Sequence, residues 1–160
     1  MKKMLFASVA ALVLATPALA QETATFTGAR IGGNIGFADD DVIGDEAFAY
    51  GVEAGYDFDL GSAVVGVGAE LQDSSDSGRD ISVVARAGGK AADNVLIYAL
   101  GGYSNLRILG VELDGFRIGG GVEVAVTPNA FVKFEHRYTN YDAGGNDDVH
   151  QNLIGAGFRF

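Results

Sequence analysis

This chain of 160 residues contains no cysteine and very little proline. Cysteine is absent, which excludes disulfides and thiolate metal sites. Only two prolines occur, Pro17 and Pro128, among 24 glycines. Abundant glycine with little proline disfavours long helices and suits strands that curve and pack closely. After residue 20, no apolar run approaches the roughly 18 residues of a membrane-spanning helix.

Basic residues are also scarce, because 11 Lys and Arg stand against 21 Asp and Glu, giving a formal charge of −10. Such an acidic chain is a poor ligand for nucleic acid, so we expect no nucleic-acid partner. Aliphatic and aromatic residues nevertheless recur along the whole chain, which argues against low-complexity disorder.

The first 20 residues have the pattern of a secretory signal peptide. Lys2 and Lys3 form a positive start, Met4–Ala15 an apolar core, and Ala18–Ala20 a small-residue cleavage site. The apolar run is too short for a transmembrane helix. We therefore predict a cleaved signal peptide over residues 1–20 and one domain over residues 21–160. Loss of Lys2 and Lys3 changes the formal charge from −10 to −12.

Beyond the signal peptide, apolar and polar residues alternate in eight segments of about 9–12 residues. Strict alternation predicts strands, and tilted strands of about 9–11 residues can cross a bilayer. The predicted strands are Thr25–Phe37, Ala47–Phe58, Ala63–Gln72, Ile81–Lys90, Val95–Ser104, Phe116–Val126, Ala130–Asn140 and Gln151–Phe160. The register of the fifth strand stays open because both of its faces are apolar.

The predicted connections alternate between short and long. The short ones cover residues 59–62, 91–94 and 127–129, and the long ones residues 38–46, 73–80, 105–115 and 141–150. Short turns on one side and longer loops on the other are typical of outer-membrane barrels. We predict an all-β fold, an eight-stranded antiparallel up-and-down transmembrane β-barrel. Both termini would then be periplasmic and the four longer loops extracellular.

Charged residues concentrate on one face of the predicted strands. This face carries four acids and five bases: Arg30, Glu53, Glu70, Arg86, Arg117, Glu123, Lys133, Glu135 and Arg137. An eight-stranded barrel has an interior just wide enough for side chains. Buried charges need partners, and the near-balance of signs supplies them. We predict that these nine residues form an ion-pair network that fills the lumen.

Aromatic residues cluster near the predicted strand ends. Two such belts are expected where a barrel meets the two membrane interfaces. The loop-side group is Phe37, Phe48, Tyr50, Tyr103, Phe116, Tyr138 and Tyr141, and the turn-side group is Tyr56, Phe58, Phe158 and Phe160. The alternative interpretation is the aromatic core of a soluble β-sandwich.

The chain resembles the small outer-membrane β-barrel family of OmpA-type membrane domains, OmpX-like proteins, opacity proteins and "porin family" surface antigens. The resemblance covers the whole mature chain and is carried by residues 27–37, 135–141 and 155–160. His136 stands where the family commonly has Tyr. The resemblance implies that Phe158 and Phe160 form the signal read by the barrel-assembly machinery, with Phe160 facing lipid.

The family resemblance implies a Gram-negative outer-membrane protein. We predict a structural or surface role with acidic loops, no enzyme activity and no cofactor. Its implied partners are outer-membrane lipid, lipopolysaccharide and the assembly machinery, and we expect a monomer. Two alternatives stay open. One is a small pore or ligand channel, and the other is a surface adhesin or a ligand-binding protein, for haem for example.

Few residues suggest catalysis or metal binding. Neither His136 nor His150 has a serine two residues further on, as a lipid deacylase pair would. We interpret His136 as an interfacial ring on the outer face and His150 as a solvated residue at a loop edge. The acidic run Asp39–Asp41 does not match a calcium-binding loop, since Ile43 and Tyr50 replace ligands. We predict no catalytic residue and no metal site, although weak Ca²⁺ or Mg²⁺ shared with lipopolysaccharide phosphates stays open.

Overall fold

The computed structural model describes residues 26–40, 46–74, 78–108, 111–141 and 147–160, and within them the chain forms eight strands. The strands are β1 (Gly28–Asp40), β2 (Glu46–Asp59), β3 (Ala63–Ser74), β4 (Gly78–Ala92), β5 (Val95–Ile108), β6 (Val111–Ala125), β7 (Ala130–Tyr141) and β8 (Asp147–Arg159). No helix among the described residues is long and apolar enough to cross a membrane. The predicted signal peptide, residues 1–20, lies outside the described residues.

The strands close into an antiparallel barrel in which each strand pairs with its sequence neighbours and β8 pairs with β1. The pairing is staggered. A row of paired residues that starts at Gly28 and is followed around all eight strands comes back to β1 at Ala38. The two ends of this row are therefore displaced along β1, from residue 28 to residue 38. Such a stagger goes with strands tilted by about 35–45°. The predicted eight-stranded antiparallel barrel is confirmed, and the β-sandwich alternative is wrong.

The two ends of the barrel differ in their connections. The turn end carries the short β2–β3, β4–β5 and β6–β7 connections together with Phe26 and Phe160. The loop end carries the remaining four connections, and their tips lie outside the described residues. In the β2–β3 turn, Gly61 has a φ of +93°, a left-handed conformation that glycine adopts without strain.

The strands run further towards the loop end than the sequence pattern predicts. Every described residue within 38–46, 73–80, 105–115 and 141–150 is strand, where we predicted loops, and the remaining residues of these segments lie outside the described ones. Side-chain bonds between paired strands accompany the extension. The amide of Asn105 donates to Asp114 over 2.9 Å, and that of Asn140 donates to Asp148 over 2.6 Å. Polar cross-strand pairs thus support strand pairing at the loop end, where the alternation of apolar and polar residues has ended.

Alternation along each strand gives the barrel an apolar outside and a polar inside. In β7, less exposed and more exposed residues alternate from Ala130 to Tyr141. Large apolar side chains such as Ile31, Val67 and Ile154 are more than half exposed on the outer face. A contiguous apolar surface of this kind is unfavourable in water and matches the lipid-facing band of a membrane barrel.

Outward aromatic rings form groups near both ends of the barrel. At the loop end Phe37 and Phe48 meet edge to face at 5.9 Å, and at the turn end the rings of Tyr56 and Phe58 lie 4.9 Å apart. Tyr141 does not belong to the outward group, contrary to the prediction. It is one of the odd-numbered residues of β7, which face inward, and it is buried in the lumen.

The faces of β5, which the sequence left open, are distinct in the structure. Its even-numbered residues Leu96, Tyr98, Leu100 and Ser104 are buried inside, whereas Ile97 and Tyr103 are exposed outside. The interior of the barrel is therefore apolar in one sector, along β5. The other strands supply most of the interior charge.

The start of β1 also differs from the prediction, because the strand begins at Gly28 and not at Thr25. Gly28 has a φ of +122°, which favours glycine, and a Cβ at this position would lie 2.0 Å from the carbonyl oxygen of Phe160. The preceding Phe26 is fully buried and belongs to a cluster with Val64, Leu96 and Ala125. This cluster, with the buried Phe131, forms an apolar stopper at the turn end.

Candidate functional site in the barrel lumen

Among the residues that the structure describes, twelve charged side chains are buried inside the barrel, each at most 7% exposed. Six are acids and six are bases: Glu53, Asp57, Glu70, Asp80, Glu123 and Glu135 with Arg30, Arg86, Arg117, Lys133, Arg137 and Arg159. The described lumen is therefore neutral overall, although the whole chain has a formal charge of −10. Buried charges persist in a low-dielectric interior only when they are paired, so this balance is a physical requirement.

Nearest the turn end, Asp57 is the centre of the ionic contacts. Arg86 bonds both of its oxygens, from Nε over 2.9 Å and from Nη2 over 2.6 Å. Arg159 and Arg30 approach the same carboxylate at 3.1 and 3.3 Å. Glu123 accepts from Arg86 at 2.8 Å and from Arg159 at 2.7 Å. Three guanidinium groups thus share two carboxylates, and the Arg86–Asp57 pair has the two-pronged geometry that strengthens such bonds.

The middle of the lumen is held by Lys133. Its ammonium bonds Glu53 over 2.5 Å and Glu135 over 2.9 Å, so it bridges β2 and β7 across the interior. The other oxygen of Glu53 accepts from Arg30 over 2.9 Å. The hydroxyl of Tyr98 donates to Glu135 from the apolar sector of β5. Each carboxylate of this group therefore has at least two donors.

Towards the loop end, two arginines continue the network. Arg137 bonds Glu135 through Nε over 2.8 Å and Glu70 through Nη1 over 2.6 Å. Arg117 bonds Asp80 over 2.9 Å and lies 3.8 Å from Glu70. Glu70 thus joins the two arginines. Nearer the turn end, Arg30 joins Asp57 to Glu53 and Lys133 joins Glu53 to Glu135.

Hydroxyl groups complete the loop-end part of the network. Ser104 and Tyr141 each donate to Asp80 over 2.5 Å. Arg117 also donates to the hydroxyl oxygens of Ser82 at 2.9 Å and Thr139 at 3.0 Å. Every one of the twelve charged side chains is linked to the next through a shared partner. The lumen is therefore crossed by one continuous ladder of alternating charge.

The apolar stopper adjoins the charged ladder through cation–π contacts. The guanidinium of Arg159 lies 5.2 Å from the ring centre of Phe26 and 5.5 Å from that of Phe131. Such contacts favour a desolvated cation over the face of a ring. The aromatic rings at the turn end thus contact the nearest charge of the lumen directly.

All nine residues of the predicted network line the lumen and belong to the ladder. Three further members were not predicted: Asp57, Asp80 and Arg159. The alternation of inward and outward residues could have identified two of them. Asp57 lies an even number of residues from the inward Glu53 on β2, and Arg159 lies an even number from the inward residues of β8. Asp80 was placed in a loop, although it has the same parity as Arg86.

The two histidines lie outside the lumen, on neighbouring outward positions of β7 and β8. His136 Nδ1 is 2.9 Å from the amide oxygen of Asn152, and its ring stacks on His150 with centres 5.9 Å apart. The ring centre of Tyr138 lies 5.1 Å from that of His150. Within the described ranges, no three metal-ligating side chains come together. The side chains of the acidic run Asp39–Asp41 all lie outside the described ones, so the weak cation site left open there is untested.

The two residues predicted as an assembly signal are outward-facing. Phe158 is 59% exposed and Phe160 is 77% exposed, at the turn end of the barrel. The contact between Phe160 and β1 is a backbone bond from its N–H to the carbonyl of Ala29, at 2.9 Å. Both rings are therefore accessible from the outer face, and their role in assembly stays a prediction.

Comparison with known proteins identifies the family. The sequence model of the outer membrane protein beta-barrel domain matches residues 6–160, so the chain belongs to this family. The predicted resemblance to small outer-membrane barrels is confirmed. No curated protein sequence matches the chain significantly.

Several solved structures share the fold. Neisserial surface protein A is 17% identical, with a TM-score of 0.57, over 87% of this chain and 100% of its own. The N-terminal β-barrel domain of Pseudomonas aeruginosa OprF is 16% identical, with a TM-score of 0.56, over 82% and 97%. The outer membrane enzyme PagL is 16% identical, with a TM-score of 0.57, over 82% and 99%. At these identities the likeness is one of fold, and the fold includes an enzyme.

Proposed function

We propose that this member of the outer-membrane barrel family is a non-enzymatic structural protein with a closed lumen. In this proposal the turn end and both termini face the periplasm, and the loop end with its acidic loops faces the outside. Short turns on the periplasmic side and longer connections outside are the usual arrangement in such barrels. The chain is inserted by the barrel-assembly machinery and acts as a monomer.

The continuous ladder of ion pairs carries the proposal. A conducting path would have to separate charges that are each at most 7% exposed and bonded to at least one opposite charge. Leaving one such charge without its partner typically costs about 3–5 kcal/mol. The apolar stopper adds a second obstacle, because Phe26 and Phe131 lie at the turn end with at most 2% exposure.

The surroundings of His136 support the absence of catalysis. A nucleophile needs a base within hydrogen-bond reach that is itself oriented by a third group. Here the ring nitrogen is bonded to the amide of Asn152 and the ring is stacked on His150. Among the described residues, neither contact supplies a hydroxyl or thiol nucleophile. An interfacial ring with a polar tip explains the position.

Single-channel recording in planar bilayers tests the closed lumen. We expect the refolded protein to insert without step-like conductance. The variant E53A/K133A removes one acid and one base from the middle of the ladder, and its matched control V52A/V132A changes outward residues of the same two strands. Folding of each is checked by heat-dependent gel mobility.

Step-like conductance of the unmodified protein would overturn the proposal and favour the pore. Conductance of E53A/K133A alone would support it, because the lumen side chains would then be what closes the barrel. The control V52A/V132A separates this effect from a general loosening of β2 and β7.

A further inference from the structure

The chain has only two histidines, and the pairing of β7 with β8 brings them together on the outer face of the barrel, near the loop end. In the register of these strands His136 lies opposite Asn152, and Tyr138 lies opposite His150. The two histidines are therefore diagonal neighbours on one face, a spacing that ring-sized side chains can bridge. Their ring centres lie 5.9 Å apart, with an angle of 27° between the ring planes.

A hydrogen bond orients the ring of His136. Its Nδ1 lies 2.9 Å from Oδ1 of Asn152, and an amide oxygen can only accept. Nδ1 of His136 therefore carries the proton, which leaves the lone pair on Nε2. Histidines that ligate metals are commonly held in this way, because a bond from the second ring nitrogen fixes the tautomer and the orientation of the ring.

The distance between the two rings suits a shared metal ion. An imidazole nitrogen binds Zn²⁺ at about 2.0–2.1 Å, which places the ion about 3.2 Å from the ring centre. Two rings that share an ion at the tetrahedral angle therefore have their centres about 5 Å apart. The observed separation of 5.9 Å exceeds this value by an amount that a small rotation of the side chains removes.

The surroundings of the two rings favour a cation. Asp148 lies on the same face of β8 as His150 and accepts from the amide of Asn140 over 2.6 Å. Among the described residues of β6, β7 and β8, all Lys and Arg side chains are buried in the lumen. An ion at the histidines is therefore attracted by a carboxylate and repelled by no described basic group on these strands.

Imidazole rings distinguish this place from the other ring pairs of the outer face. Elsewhere on the described outer face the pairs consist of Phe and Tyr, as in Phe37 with Phe48 and Tyr56 with Phe58. Such rings serve a membrane interface equally well, so an interfacial role does not by itself require two adjacent imidazoles. Imidazole is, however, a preferred ligand of Zn²⁺, Cu²⁺ and Ni²⁺.

We propose that His136 and His150 bind one Zn²⁺ ion, through Nε2 of His136 and one ring nitrogen of His150. Asn152 is a positioning residue that holds His136 in the ligating tautomer. No third metal-ligating side chain joins the pair within the described ranges, so water completes the four-coordinate shell. The bound ion ties β7 to β8 and stabilises the folded barrel by mass action. This site does not depend on the proposed function or on which end of the barrel faces outside.

Competition with a chromophoric chelator measures Zn²⁺ binding to the refolded protein in detergent, without a histidine tag. We expect one Zn²⁺ per chain and no competition from Ca²⁺ or Mg²⁺. H136Q and H150Q should each weaken binding more than about a hundredfold, because changes beyond the ligands themselves cost about 10–100-fold. Y103Q is the matched control, since it removes an exposed outward ring on β5 and should bind Zn²⁺ as the unmodified protein does.

The positioning role of Asn152 has its own variants and its own readout. N152A should weaken Zn²⁺ binding about 10–100-fold, and N152D should restore it, because a carboxylate accepts the same bond from Nδ1. Two-dimensional ¹H–¹⁵N NMR of the imidazoles resolves the tautomer, and only two rings contribute signals. We expect Nδ1 of His136 to be protonated before Zn²⁺ is added, and its Nε2 signal to shift on addition. In N152A both tautomers should be present without metal.

Unchanged Zn²⁺ binding by H136Q/H150Q would assign the metal to acidic residues of the chain and overturn the site. Equal affinity for Ca²⁺ or Mg²⁺ would also overturn it, because these ions prefer oxygen ligands. One Zn²⁺ per two chains would overturn it in favour of a bridge between copies. Folding of each variant is checked by heat-dependent gel mobility. The NMR shift is measured on the unmodified protein, so it decides the proposal even where a variant fails to fold.

Discussion

Replacing Glu135 by Gln tests whether charge balance in the lumen stabilises the barrel. Glu135 accepts from Lys133 at 2.9 Å, from Arg137 Nε at 2.8 Å and from the hydroxyl of Tyr98. The substitution keeps the shape of the side chain and removes its charge. The described lumen then holds six bases against five acids.

The expected loss in the free energy of unfolding depends on the acidic partners that Lys133 and Arg137 retain in E135Q. Lys133 still has Glu53 at 2.5 Å, and Arg137 still has Glu70 at 2.6 Å. Removing one partner of a buried pair typically costs about 3–5 kcal/mol. Since neither cation loses its last partner, we expect about 3 kcal/mol for E135Q, measured by equilibrium guanidinium unfolding in detergent micelles with circular dichroism as the probe.

A second substitution should restore much of this loss if charge balance is the cause. E135Q/K133Q returns the lumen to five acids and five bases, so we expect it to be more stable than E135Q. The control E135Q/K90Q has the same net charge, but Lys90 lies at the turn end, about one-fifth exposed and bonded to Asp59. Equal stability of the two double variants, or a K133Q effect that only adds to that of E135Q, would refute the reasoning.

Three further predictions use the same unfolding assay or the yield of refolding. Phe26→Ala should lower the free energy of unfolding by about 3 kcal/mol because it leaves a cavity in the stopper, while the exposed Phe160→Ala should change it little. Tyr98→Phe should cost about 1.5–3 kcal/mol, the range for a hydrogen bond to a charged group. Gly36→Ala should reduce refolding yield because its Cβ would lie 2.0 Å from a β8 carbonyl oxygen. Gly89→Ala, with its nearest neighbour at 3.9 Å, should refold normally.

The barrel was predictable because alternation, connection length and the absence of long apolar runs all follow from one constraint. Every backbone group of a membrane barrel must be paired within the wall, which demands strands of similar length and one apolar face. The loop-end strand boundaries were not predictable from this constraint. There the pairs become polar, as with Asn105 and Asp114, and the apolar alternation no longer marks the strand.

The lumen was predictable to the extent that parity identifies inward positions. Alternation along β2 and β8 places Asp57 and Arg159 on the inward face, so both positions were predictable from the sequence. Asp80 was hidden by the short strand assigned to its segment. The partners within the network could not be deduced, because they depend on the ten-residue stagger that brings distant positions such as Lys133 and Glu53 together.

The apolar stopper and the apolar sector of β5 gave no clear signal. Phe26 precedes the first strand, so no alternation assigns it a side. Leu96, Tyr98 and Leu100 face inward, and both faces of β5 are apolar in the sequence. The inward face of β5 is the one that packs against Phe26 through Leu96 and bonds Glu135 through Tyr98.

The interior glycines belong to the same design as the charges. A Cβ at Gly66 would lie 2.0 Å from an oxygen of Asp57, and one at Gly55 would lie 2.9 Å from a guanidinium nitrogen of Arg30. An eight-stranded barrel encloses little more volume than its side chains fill. Glycine on a neighbouring strand therefore gives long ionic side chains such as Arg30 and Lys133 the room to cross it. The abundance of glycine that first argued against helices is thus also what gives the buried ion pairs their space, so an uncharged substitution at Gly66 acts directly on the three arginines that Asp57 holds.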